Sequence, residues 1–112
     1  MESLMEQISI EDVIKLDLRV AEIIAADAHP DADKLLVLKI KIGEEERQIV
    51  AGIKKSYVPQ NLIGKKITVI ANLQPVVLRG VESQGMLLAA SDDNGIVLLT
   101  PDRDIVSGSK VK

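Results

Sequence analysis

At 112 residues, with 46% apolar side chains and no Cys, the chain is long enough to bury roughly two-thirds of its unfolded surface, which predicts one domain over residues 1–112 without disulfides or a thiolate metal site. A net charge of −3, no apolar run near the ~20 residues that span a bilayer, and no signal-peptide pattern in residues 1–7 predict a soluble cytoplasmic protein with no membrane partner. The charge is uneven: five bases stand against twelve acids before residue 47, six against none in residues 47–81, and three against five after, giving −7, +6 and −2.

An even spread of the seventeen acids would place about five in a 35-residue window, so their absence from residues 47–81 predicts one basic face on an acidic protein. The apolar residues are nearly all Ile, Val, Leu and Ala, and Tyr57 is the sole aromatic. That β-branched wealth, cut at short intervals by Gly and Pro, favours a strand-rich core.

In chain order, Ser9 is placed to cap a short helix over residues 10–16, expected to plug an open barrel end. Residues 18–28 read as a long first strand whose phase breaks near Ile23, which predicts a bulge. His29, Pro30, Asp31, Ala32 and Asp33 form a turn, with His29 expected to be a surface or stacking residue rather than a base. Residues 35–42 alternate as a second strand, residues 43–46 make a tight hairpin, and residues 47–53 return. Pro59 to Leu62 give a helical turn ended by Gly64, and residues 65–73 form another strand. A short segment at 76–78, an apolar strand over 85–90, a turn at 92–95, a partner at 96–99 and a tail strand around Ile105 complete the series. The order predicts an all-β fold: an OB-fold, five-stranded Greek-key barrel with short helices and a C-terminal extension.

Catalytic chemistry finds little support. A Ser or Cys triad needs an imidazole base, and His29 is the single histidine, lying in an Asp-rich turn. Zinc would need three or four His or Cys ligands. Gly80 and Gly85 have phosphate-loop spacing, but Met86 and Leu87 stand where Lys and Ser or Thr are required. No catalytic residue, metal ligand or cofactor site is assigned, and the chain reads as a binding module.

Its acid-free run suits a polyanion, because each neutralised phosphate releases a counterion and nearby carboxylates would cancel that gain. On this ground Lys54, Lys55, Lys65 and Lys66 are candidate phosphate contacts. One ring cannot supply the stacking ladder of generic single-strand binders, so a folded RNA read by backbone and shape is the expected ligand.

Several blocks then resemble a known family: Asp17, Leu18, Arg19, Val20; His29 through Leu35; Arg47, Gln48, Ile49, Val50, Gly52, Ile53; Tyr57, Pro59, Leu62, Gly64, Lys65, Lys66; Asn72, Leu73; and Arg79, Gly80, Ser83, Gly85, Met86, Leu87. In that order they are similar to the tRNA-binding domain found at the C-terminus of methionyl-tRNA synthetases, in stand-alone tRNA-binding proteins and in eukaryotic synthetase cofactors. The resemblance implies an OB-fold core, a homodimer built partly from the C-terminal extension, and tRNA binding with little regard to anticodon, in aid of the catalytic part of methionyl-tRNA synthetase. It also implies RNA-facing roles for Lys34, Asn72, Arg79, Ser83 and Met86. Ala21 and Ala51 depart from the family's usual Gly and Ser, and the second removes a possible hydrogen-bonding hydroxyl. Two rival readings are an export-related peptide-binding chaperone sharing the barrel, and a structural domain whose only work is dimerisation.

Overall fold

The computed structural model describes residues 6–112; residues 1–5 of the stretch read for a signal peptide lie outside them. The fold is mostly β, and its main sheet curls into a half-barrel. The strands are β1 (Leu18–Ala28), β2 (Leu36–Ile42), β3 (Glu45–Ala51), β4 (Lys66–Ile70), β5 (Val76–Leu78), β6 (Val81–Ser83), β7 (Met86–Leu87), β8 (Ala89–Asp92), β9 (Gly95–Leu98) and β10 (Lys110–Val111). The main path runs β3-β2-β1-β4-β7, with β10 also on β1.

The eleven-residue β1 bends the sheet by pairing twice. Leu18 to Glu22 lie opposite Ile70 to Lys66, and Glu22 to Ala28 lie opposite Lys41 to Leu36. The register slips between Ile23 and Ala25, where the phase break predicts a bulge, so one strand serves both halves of the curl. Alternation then sorts the side chains: Leu36, Leu38 and Ile40 point into the core with Ile23, Ile49, Ile67 and Val69, each at most 1% exposed.

The far seam is sewn by single bonds, one between backbones and the rest through side chains, rather than by a strand ladder. Gln84 donates its backbone N–H to the Gln48 carbonyl at 2.8 Å, and Gln48 donates its own N–H to Gln84 Oε1 at 3.1 Å. The Val50 N–H donates to Ser83 Oγ at 2.9 Å, and that hydroxyl donates to the Gly85 carbonyl at 3.1 Å. Gly85 is required here, because a Cβ would lie 3.1 Å from the Ile70 carbonyl oxygen and its φ is +140°.

Several expectations are corrected. Helix α1 (Ile10–Ile14) is capped by Ser9 as expected, yet it plugs nothing: no residue of it is buried. Asn72 pins its exit on the outside, accepting the Asp17 N–H at 2.9 Å and donating to the Lys15 carbonyl at 2.7 Å, which leaves Ile10 and Ile14 in solvent. Leu62, on the 3-10 turn Pro59–Leu62, enters the core instead. The apolar run 85–90 divides into β7 and β8 around Leu88, which bonds Thr68 and Leu99 through its backbone. The tail strand forms at Lys110–Val111 rather than at Ile105, so Val111 is covered by pairing with Leu18. The short segment at 76–78 forms β5, but its partner β6 and the hairpin closed by Arg79 and Gly80 have no counterpart in the sequence reading, because two strands of three residues, one of them fully exposed, leave no alternation to detect.

Candidate nucleic-acid interface

The run that lacks acids in sequence does not lack them in space. Arg47, with a side chain 22% exposed, pairs with Glu45 at 2.8 Å and also donates to the Ala71 carbonyl, so it ties β3 to the end of β4. Its guanidinium holds the Glu45 carboxyl below the ordinary carboxylate value, mainly through that hydrogen bond. Lys66, at 21% exposure, bonds Asp104 at 2.7 Å and the Ile105 carbonyl, and so fastens the tail to β4. Lys55 lines a hollow that Asp92 also borders. The single basic face is therefore broken up, because acids from outside the run, Glu45 just before it and Asp104 far after it, pair with its cations.

The sequence-derived RNA contacts sort into three groups. Lys34, Lys54 and Arg79 lie on neighbouring segments: the Lys54 backbone N–H donates to the Lys34 carbonyl at 3.2 Å, and Arg79 Nη2 donates to the Asp31 carbonyl at 3.1 Å. Lys34 and Arg79, both exposed, line a hollow of about 370 Å³ with Asp31, Ala32, Asp33 and Leu35. Lys65 stands elsewhere, exposed beside Lys66, Arg103 and Asp104 around a second hollow of about 310 Å³. Among the described residues Lys34, Lys54, Lys55, Lys65 and Arg79 have no carboxylate partner within 4.0 Å, unlike Lys66.

The third group is engaged in the fold. Ser83, expected to face RNA, is 3% exposed with its hydroxyl occupied by Val50 and Gly85; it joins β3 to the end of β6 where no strand ladder runs. Asn72 is exposed, but both ends of its carboxamide hold the α1–β1 junction. Lys66 holds Asp104, which keeps that carboxyl below its ordinary value. Met86 fits the expectation of exposure, at 50% on β7 opposite Ile70, where its soft thioether is open to a base or an apolar surface.

His29 is not a surface residue. It is 4% exposed, accepts the Asp31 N–H at Nδ1 at 2.9 Å, and sits 2.9 Å from the Leu78 carbonyl at Nε2. Arg103, which sequence reasoning did not single out because Asp102 and Asp104 flank it, lines the hollow beside Lys65 and is paired with Asp102 at 3.5 Å on the exposed surface.

The family described as "Putative tRNA binding domain" matches residues 18–110, a stretch that contains every one of these positions. The chain belongs to the tRNA-binding domain family. Membership makes this stretch a binding module and not catalytic machinery. Methionine–tRNA ligase of Pyrococcus horikoshii is 52% identical to this tRNA-binding domain over 108 residues, which are 96% of this chain and 15% of the ligase. The chain therefore spans about one-sixth or less of the length of such a relative. A crystal structure of a MetRS related protein from Pyrococcus horikoshii is similar at a TM-score of 0.89 and 34% identity, covering 96% of this chain and 100% of that one. The chaperone CsaA of Bacillus anthracis is similar at 0.87 and 30% identity, covering 96% and 100%.

Proposed function

We propose that this domain binds folded tRNA without catalysing a reaction, largely independently of anticodon, in aid of methionyl-tRNA synthetase. The observation that carries the reading is the family match over residues 18–110, joined to the meeting of Lys34 and Arg79 at one hollow, with the Lys54 backbone bonded to that of Lys34. These cations reach phosphates without a carboxylate clamped to them, while the single aromatic ring disfavours serial base stacking. Lys65 and Arg103 supply a second contact region on the same ligand.

The domain works as a homodimer of OB-fold barrels in the cytoplasm. Support for pairing comes from apolar surface without cover in the described residues: Ile10, Ile14 and Val106 are 64%, 70% and 75% exposed. A two-fold interface is the common way to bury such surface. Sedimentation at micromolar concentration should give twice the 12.2 kDa of one chain, and a species of 12.2 kDa would count against pairing.

A second reading, polypeptide binding as in a chaperone, is favoured by the CsaA similarity and by exposed Val76, Val77 and Leu78 on β5. Binding of folded tRNA, an unstructured oligonucleotide of equal length and an unfolded polypeptide at matched salt separates the readings. Folded tRNA should bind most tightly. A preference for the polypeptide would replace the tRNA reading with the chaperone one.

A further inference from the structure

We infer that His29 is a positioning residue for RNA binding: it clasps the β5–β6 hairpin to the turn at residues 29–35 and so holds Arg79 at the rim of the hollow bordered by Lys34. The inference rests on the tRNA-binding reading and adds a residue that makes no RNA contact itself.

The clasp follows from the imidazole's two bonds. Because Nδ1 accepts the Asp31 N–H at 2.9 Å, the ring hydrogen lies on Nε2, which donates to the Leu78 carbonyl 2.9 Å away. Both nitrogens are occupied and the ring is 4% exposed, which leaves it no free position for a ligand. Its role is to join two segments 49 residues apart in sequence.

Leu78 directly precedes the residue that matters. Arg79 has φ +52° and Gly80 φ +88°, the conformation of a two-residue hairpin turn of the primed kind. Such a φ is uncommon for a residue with a side chain and persists where the surroundings impose it. The tight turn itself calls for this φ, and β6 is tied to β3 through Ser83 and through the Glu82 carbonyl, which accepts from Gln48 Nε2 at 2.8 Å, whereas β5 is three residues long and wholly exposed. Two bonds hold the hairpin's tip to the turn at residues 29–35, His29 to the Leu78 carbonyl and Arg79 Nη2 to the Asp31 carbonyl at 3.1 Å. His29 also fixes Asp31 itself, through the backbone N–H, so it controls both ends of the Arg79 contact. The guanidinium has five N–H donors and one is used here, so the others stay available to a phosphate or base edge. Holding them in place before binding removes part of the ordering cost on association.

The test uses the whole chain. In His29→Asn the side-chain oxygen takes roughly the place of Nδ1 and keeps the Asp31 N–H in an Asx turn, but the amide is too short to reach Leu78. Arg79→Ala should weaken folded-tRNA binding by about tenfold, toward the low end for an arginine contact. His29→Asn should lose a similar factor, and the double variant should be no weaker than Arg79→Ala alone. The Val81 amide should exchange faster in His29→Asn while Leu38 and Ile40 are unchanged. If the unaltered chain binds tRNA and His29→Asn binds it equally well, or if the two losses multiply, this role is overturned and the tRNA reading stands. If the unaltered chain does not bind, the tRNA reading falls and this role with it. Should His29→Asn fail to fold, imidazole nitrogen shifts of the unaltered protein decide instead: a hydrogen on Nδ1 would overturn the clasp.

Discussion

Replacing Ser83 by Ala separates a residue that holds the barrel seam from one that touches RNA. The Ser83 hydroxyl is the acceptor for the buried Val50 N–H at 2.9 Å and donates to the Gly85 carbonyl at 3.1 Å. At 3% residue exposure, water has little access to replace it. An unsatisfied buried N–H costs about 1–3 kcal/mol, so a loss of about 2 kcal/mol is expected. For a domain of this size that corresponds to a Tm lower by about 8 °C, at about 4 °C per kcal/mol. Urea unfolding should show a lower midpoint with an unchanged slope, because the exposed surface on unfolding is the same. tRNA affinity, measured at 25 °C where the variant is folded, should stay within about twofold, since the hydroxyl faces the seam and not solvent. An unchanged urea midpoint together with a large loss of tRNA affinity would refute the reasoning and restore Ser83 to the binding face.

Three further outcomes follow from the same contacts. Lys65→Ala should reduce the slope of log affinity against log salt by about one unit, whereas Lys66→Met, whose ammonium is held by Asp104 and Ile105, should leave that slope unchanged and loosen the tail; equal slope changes would show that both lysines contact phosphate. Gly85→Ala should cost more stability than Gly80→Ala, as the new Cβ meets the Ile70 carbonyl oxygen at 3.1 Å in the first case and nothing within 4 Å in the second; urea midpoints in the reverse order would discredit the seam geometry. Asp17, Glu45 and Asp104 are held below their ordinary values of 3.8, 4.5 and 3.8 by hydrogen bonds from Arg19, Arg47 and Lys66. A lowered folded value means that each contribution is present above the ordinary value and lost as pH falls through the folded one. The urea midpoint should therefore drop below about pH 4, and a drop already complete by pH 5 would point to other groups.

The main strands were legible because each half-buried strand must alternate, and the single failure of alternation at Ile23 marked the bulge that lets β1 pair on both sides. What stayed hidden were elements whose cause is not local. The β5–β6 hairpin has three residues per strand and buries only Ser83, too little to write a period into the sequence, and β10 is two residues held by Leu18 and Arg19, some 90 positions away. Helix α1 shows the reverse case. Its cap and apolar spacing were readable, but the same pattern serves a face turned to a core or to a partner, and only the Asn72 bonds decide which.

The candidate site divides along the same line. Residue types and order pointed to Lys34, Asn72, Arg79, Ser83 and Met86, yet a residue that matches a family motif can do so because it holds the fold, as Ser83 and Asn72 do through their bonds, or because it faces a ligand. Charge counted along the chain misjudged Lys66 and Arg47 for a related reason: screening depends on distance in space, and Asp104 and Glu45 come from the acidic parts that the count set aside. His29 was misread as a surface residue because a turn in sequence gives no sign of the second segment laid across it. Once the hairpin covers the turn, the burial of His29, its two bonds and the left-handed backbone of Arg79 become one arrangement, which is the ground for the positioning role proposed for His29.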